Sequence, residues 1–171
     1  MAKSGGSGNP ITSADPNDMP DGLSFNGTTL SGTPSKIGRY KVKFNIIDRS
    51  GASDKEEVEF VFRDPNFALN NPDTSAGVYN EEFTKTFVAQ NGKTPYKYSL
   101  EGLPPDLNFN PDTGVVSGSP NQYGKFPLTV TATDDLGSSS AQIYILTIEP
   151  YSKPPSINTE TLDETVSGAN Y

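Results

Sequence analysis

The chain repeats itself, and that limits its fold more than any other feature. Met19-Pro20-Asp21-Gly22-Leu23-Ser24-Phe25 matches Leu103-Pro104-Pro105-Asp106-Leu107-Asn108-Phe109 at an offset of 84. Two extra residues then enter the second copy within Asn110-Pro111-Asp112-Thr113-Gly114, and the offset becomes 86. Ser31-Gly32-Thr33-Pro34 pairs with Ser117-Gly118-Ser119-Pro120, Gly38-Arg39-Tyr40 with Gly124-Lys125-Phe126, Asp48 with Asp134 and Gly51 with Gly137. A unit of about 85 residues, present twice, must bury its own apolar face twice.

Inside each copy the apolar residues alternate with period two. Tyr40, Val42, Phe44 and Ile46 share one face, and Phe126, Leu128, Val130 and Ala132 repeat it. Val58, Phe60 and Phe62 mark the next strand, matched by Tyr144, Leu146 and Ile148. Asp48-Arg49-Ser50-Gly51 and Asp134-Asp135-Leu136-Gly137 read as the turns between those strands. Gly and Pro supply 16 and 15 of the 171 residues, too many for long helices and suited to many short strands. The expected fold is all-β, with two tandem β-sandwich domains.

The second copy reads as whole, with strands over Glu82–Ala89, Tyr96–Leu100, Val115–Ser117, Lys125–Asp134 and Ser139–Ile148, and a turn at Asn91-Gly92-Lys93. The first copy is short at its front. Matching Pro10-Ile11-Thr12 to Pro95-Tyr96-Lys97 puts Gly5-Gly6-Ser7-Gly8 where the Asn91-Gly92 turn falls, so no counterpart of Glu82–Ala89 precedes it. The expected division is a first repeat over residues 1–64, a second over 65–150, and an extension over 151–171 that opens like a third repeat.

These residues resemble a family. Leu-Pro-x-x-Leu-x-Phe, then Val-x-Ser-Gly-x-Pro, then Gly-x-Phe-x-x-x-Val-x-Ala-x-Asp is similar to the signature of immunoglobulin-like repeats in bacterial surface and phage virion proteins. Those repeats are related to dystroglycan-type cadherin-like domains. Copy two carries the pattern in Gly102–Phe109, Val115–Pro120 and Gly124–Asp134. Copy one carries it in Met19–Phe25, Leu30–Pro34 and Gly38–Asp48, with Met19 for Leu and Ile46 for Ala. The resemblance implies two tandem Ig-like/cadherin-like β-sandwich domains. It is a folding pattern and names no ligand.

Composition excludes several functions. The chain has no Cys and no His, which removes disulfides, thiolate nucleophiles and the commonest general base and zinc ligand. A formal charge of −8 disfavours nucleic acid as a partner. No apolar run reaches the ~20 residues that a membrane helix needs. The adjacent carboxylates Glu56-Glu57 and Asp134-Asp135 point to opposite faces on a strand, unlike the facing pair of a glycosidase. No catalytic function is expected.

The resemblance to cadherin-like domains implies calcium as the candidate cofactor. Asp48 and Asp134 follow the Val-x-Ala-x strands, while Asp64, Asn66 and Asp73 lie in the linker, with Asn70, Glu81 and Glu82 nearby. Calcium needs six to eight oxygens converging from separate loops. The competing expectation is that Asp48 and Asp134 accept hydrogen bonds from turn amides. Alternation places Phe83, Phe87, Tyr96 and Tyr98 in the core and leaves Tyr123 and Tyr151 exposed for protein or glycan contacts.

The chain opens at Met1 with no apolar segment of a secretory signal behind it. The expectation drawn from this is a structural, adhesive component of a phage virion surface, such as a capsid decoration or tail part. It would bind neighbouring subunits, with Ser156–Tyr171 supplying the strand that copy one lacks. The alternative is a run of spacer repeats from a bacterial cell-surface adhesin, rigidified by calcium.

Overall fold

A computed structural model describes residues 10–70 and 76–152, and every strand in it is short or amphipathic as the alternation requires. In the first copy, β1 (Ile11–Ala14), β4 (Gly38–Ile47) and β5 (Ser53–Phe62) form an antiparallel sheet in the order β1-β4-β5. The ribbon of β2 (Leu23–Phe25) and β3 (Leu30–Gly32) is separate from that sheet, and Phe25 meets Phe44 of β4 edge to face at 5.1 Å.

The second copy has the same plan with more cover. β10 (Lys97–Glu101), β13 (Gly124–Thr133) and β14 (Ser139–Glu149) form one sheet, extended at the end of β14 by β7 (Ala76–Val78), which runs parallel to it. The second sheet runs β11 (Leu107–Asn110), β12 (Val115–Gly118), β8 (Phe83–Thr86). β6 (Ala68–Leu69) pairs with β9 (Ala89–Gln90). Leu128, Val130, Ala132, Tyr144, Leu146 and Ile148 of the first sheet bury against Phe83, Leu107 and Val116 of the second. Full burial of each such side chain stabilises the fold by roughly 1.5–3 kcal/mol.

Turn chemistry explains the shared signature. Pro20 and Pro104 are buried and lead the chain straight into β2 and β11. Gly118 has φ +136°, and a Cβ there would lie 2.6 Å from the Asp106 carbonyl oxygen, so only glycine lets β11 and β12 approach this closely. Gly32 meets the backbone of Gly22 in the same way.

Two sequence expectations are corrected. β1 sits one residue away from the sequence match. Thr12 pairs with Ile46 as Tyr98 pairs with Ala132, so Thr12 takes the place of Tyr98, and Ile11 takes that of Lys97. A one-residue slip reverses the faces of a strand, which is why Ile11 points outward and is 73% exposed. The second correction concerns Glu82–Ala89, which is not one strand. β8 ends at Thr86 because the Phe87 N–H turns to the Gly114 carbonyl while the Val88 carbonyl accepts from Asn70. The chain thereby crosses from one strand pairing to another.

Among the described residues the first copy has no counterpart of β6 to β9. Its core is correspondingly open. Val58, Phe60 and Phe62 are half-buried, whereas their repeat equivalents Tyr144, Leu146 and Ile148 are buried. The expected role of Ser156–Tyr171 lies outside the described residues.

Candidate functional site

The β13–β14 hairpin carries the one buried charged residue among the described residues. Asp134 Oδ1 accepts from the Leu136 and Ser138 amides at 3.0 and 2.7 Å, and Oδ2 accepts from the Lys93 amide at 3.1 Å. Burial alone would raise the Asp134 pKa, but the backbone bonds from Lys93, Ser138 and Leu136 outweigh it and hold the carboxyl below its ordinary value. The carboxylate thus ties its own turn to the Asn91-Gly92-Lys93 turn, reinforced by the Asp135 N–H donating to the Lys93 carbonyl at 2.9 Å. Gly92 belongs to this arrangement, since a Cβ there would meet the Phe67 ring at 2.5 Å and Asp134 Cβ at 3.0 Å.

The same hairpin receives the first copy. Arg63, just past the end of β5, donates from Nε to the Leu136 carbonyl at 2.9 Å. Arg39, next to the start of β4, reaches the Asp135 carbonyl from Nη2 at 3.5 Å and lies 3.8 Å from Glu59 Oε1. Leu136 is 1% exposed, yet it stands outside the core cluster of the second copy. Its repeat equivalent, Ser50, is exposed and polar. An apolar residue has therefore been placed in an otherwise polar turn at the point where the two copies meet.

The calcium candidates are distributed as follows. Asp48 Oδ1 accepts from the Ser50 amide and hydroxyl at 2.8 and 2.6 Å and from the Ala52 amide at 3.0 Å. It closes the far end of the β4–β5 hairpin, where Ile47 pairs with Ser53, whereas Gly38 pairs with Phe62 at the joint. Ten residues at about 3.3 Å each put it roughly 30 Å from Asp134. Asp64 Oδ1 accepts from the Asn66 backbone and side-chain N–H at 2.8 and 3.2 Å. The Asn66 carbonyl accepts from Asn91 Nδ2 at 3.2 Å. Asp73 lies outside the described residues. Asp64 and Asp134 each fall within two residues of the Arg63–Leu136 contact, and Asp48 does not join them. Among the described residues no three His, Cys, Asp or Glu side chains cluster closely enough to hold a metal ion.

Aromatic placement follows the alternation. Phe83 and Phe87 are buried, and Tyr96 and Tyr98 pack against the core. Tyr123 and Tyr151 are 66% and 52% exposed. Tyr123 meets Tyr79 edge to face at 6.3 Å. Sequence reading missed Arg39 and Arg63 altogether. Leu136 was the available signal, being the residue that breaks the polar character of its turn.

The family model described as "Putative Ig domain" matches residues 2–62 and again 65–149. A curated relative, the "Serine-rich adhesin for platelets" of Staphylococcus aureus (strain MRSA252), is 27% identical over 148 residues, covering 82% of this chain and 11% of the adhesin. In strain MW2 the same 82% of the chain matches 6% of the adhesin, so the chain spans only a small part of these relatives. Among solved structures, mouse cadherin-23 EC22-24 is similar at TM-score 0.41 and 20% identity, over 83% of this chain and 53% of that one. A putative alpha-galactosidase from Bacteroides fragilis NCTC 9343 is similar at TM-score 0.44 and 26% identity, over 47% of this chain and 17% of that one. With its family model matched twice over most of its length, on a fold of two β-sandwich domains, the chain belongs to the family described as "Putative Ig domain".

Proposed function

We propose that this chain is a pair of spacer repeats of a bacterial cell-surface adhesin, divided into a first repeat up to residue 64 and a second over 65–150. The joint carries this reading: Arg63 grips the hairpin of the second repeat through the Leu136 carbonyl, and Leu136 itself is buried although its equivalent, Ser50, is exposed. A spacer must transmit position from one domain to the next, and a joint with its own residues does so. The setting is supported by the likeness to bacterial surface adhesins, which favours an extracellular location over a virion one. Its partners are then other proteins or glycans at the surface.

The stiffness of this joint comes from the arginine contacts. Calcium held around Asp64 and Asp134 is the competing proposal. Small-angle scattering and residual dipolar couplings on the full chain, with calcium and then with chelator, separate the two. The expected result is one relative orientation under both conditions, lost on Arg63→Ala. An orientation that forms only with calcium, and that survives Arg63→Ala, would overturn the arginine joint in favour of a calcium one.

A further inference from the structure

We infer that the outer face of the larger sheet in the second domain is a contact surface for a second copy of this chain, placed by a two-fold axis. β13 and β14 turn Lys125, Pro127, Thr129, Ile143 and Ile145 away from the core, on the side opposite the buried Leu128, Val130, Tyr144 and Leu146. Ile143 is 72% exposed and Ile145 48%. Pro127 pairs with Ile145 and Thr129 with Ile143, so two uncharged rungs lie side by side in the middle of the sheet.

The first domain shows what this face looks like when it stays in water. Its equivalent rungs are Lys41 with Glu59 and Lys43 with Glu57. Lys41 Nζ lies 3.1 Å from Glu57 Oε1, and Arg39 Nη1 lies 3.8 Å from Glu59 Oε1. Paired charges of this kind keep a sheet face solvated and discourage association. In the second copy all four charges have given way to uncharged residues, two of them isoleucine, while the buried face keeps its alternation. An apolar centre within a charged rim is the make-up of a protein interface.

Charge selects the occupant. Lys125 lies one outward rung beyond the Pro127–Ile145 rung, and Glu101, which pairs with Thr129 from β10, lies one outward rung short of it. Among the described residues neither forms an ion pair. The equivalent of Lys125 is Arg39, whose partner Glu59 is replaced here by Ile145. A copy turned by half a revolution about the Pro127–Ile145 rung sets Ile145 against its own equivalent and Ile143 against Thr147. The same turn brings each Lys125 beside the other copy's Glu101, so two ion pairs form together. The face is thus complementary to itself, with the two sheets about 10 Å apart and their strands antiparallel across the contact. For chains that each carry a charge of −8, an uncharged centre is also where two copies repel least.

Four strands and four outward rungs cover roughly 400–500 Å², less than the ~800 Å² per partner of tight complexes. A Kd of about 50–500 μM is therefore expected, and repeats in a row would multiply the contact. The inference is independent of the arginine joint.

The test is sedimentation equilibrium of the full chain from about 10 μM to 1 mM. A monomer–dimer equilibrium is expected. Ile143→Glu and Ile145→Glu should each weaken it at least tenfold. Both install the residue that the first repeat carries at the equivalent position, Glu57 or Glu59, so the fold accommodates them. Lys125→Glu should also weaken the dimer, and Lys125→Glu combined with Glu101→Lys should restore it to within about threefold, because the exchange re-forms both ion pairs. A monomer throughout the range, a dimer indifferent to Ile143→Glu, or a charge exchange that fails to restore association would each overturn the inference. Domain orientation in dipolar couplings, and its loss on Arg63→Ala, reads the joint separately, so failure of one leaves the other standing.

Discussion

Replacing Asp134 by Asn should unfold the second domain far more readily, although the side chains are nearly the same size. The buried carboxylate accepts from three backbone amides, two on Oδ1 and one on Oδ2. Asn keeps one oxygen, which can still serve Leu136 and Ser138, and turns an NH₂ toward the Lys93 amide. One hydrogen bond to a charge is lost, worth about 1.5–3 kcal/mol, and two others fall to neutral strength. The Lys93 N–H, at a part-buried contact, is also left facing a donor. A total near 3 kcal/mol is expected, or a drop of roughly 10–20 °C in melting temperature for a domain of this size. Circular dichroism during heating and urea titration would read it, with tyrosine fluorescence as a second probe because the chain has no Trp.

The pH dependence gives an independent check. The folded-state pKa lies below the unfolded one, so the unfolded chain takes up the proton first. The carboxylate's contribution is therefore complete above about pH 5 and is lost as pH falls through about 4 toward the depressed folded value. The gap between wild type and Asp134→Asn should narrow over that window. A variant within about 0.5 kcal/mol of wild type at pH 7 would refute the claim that this carboxylate organises the turn, since changes of that size are ordinary at the surface. Asp48→Asn, at a half-exposed site, should cost no more than about 1 kcal/mol.

Two further substitutions probe the joint and the signature. Leu136→Ser, which installs the residue found in the first repeat, should lower the urea midpoint by an amount equivalent to about 2–4 kcal/mol and loosen the relative orientation of the domains in dipolar couplings. Unchanged values would mean that Leu136 is a bystander. Gly118→Ala forces a Cβ onto the Asp106 carbonyl at φ +136° and should destabilise the second domain by more than about 1 kcal/mol in the same titration, whereas equal stability would show that β11 and β12 can part without cost.

The sandwich was legible because its information is local. Alternation along Phe126–Ala132 or Tyr40–Ile46 marks a buried face without knowledge of the partner sheet, and the two copies vouch for each other. What failed was set at a distance. Ile11 looks like a core residue in sequence, and only pairing with Ile47 turns it outward. The break after Thr86 depends on carbonyl and amide partners at Asn70 and Gly114. Apart from the apolar Leu136 in its polar turn, the joint left no local mark, because Arg63 and Arg39 read as surface charges beside their own neighbours, while the groups they reach lie 73 and 96 residues away.

Tension gives the parallel pairing of β7 with β14 a further meaning. β7 lies near the start of the second domain, after the short β6, and β14 closes it, so a pull transmitted to β7 and to the end of β14 drags these neighbours in opposite directions along a shared ladder. Thr147–Glu149 and Ala76–Val78 must then slide past each other, with every rung loaded at once. A hairpin such as β4–β5, drawn apart from its open end, parts one rung at a time. The first domain shows no parallel rung among its described strands. Under load the second domain is thus held by rungs that share the force, and it gives way as a unit.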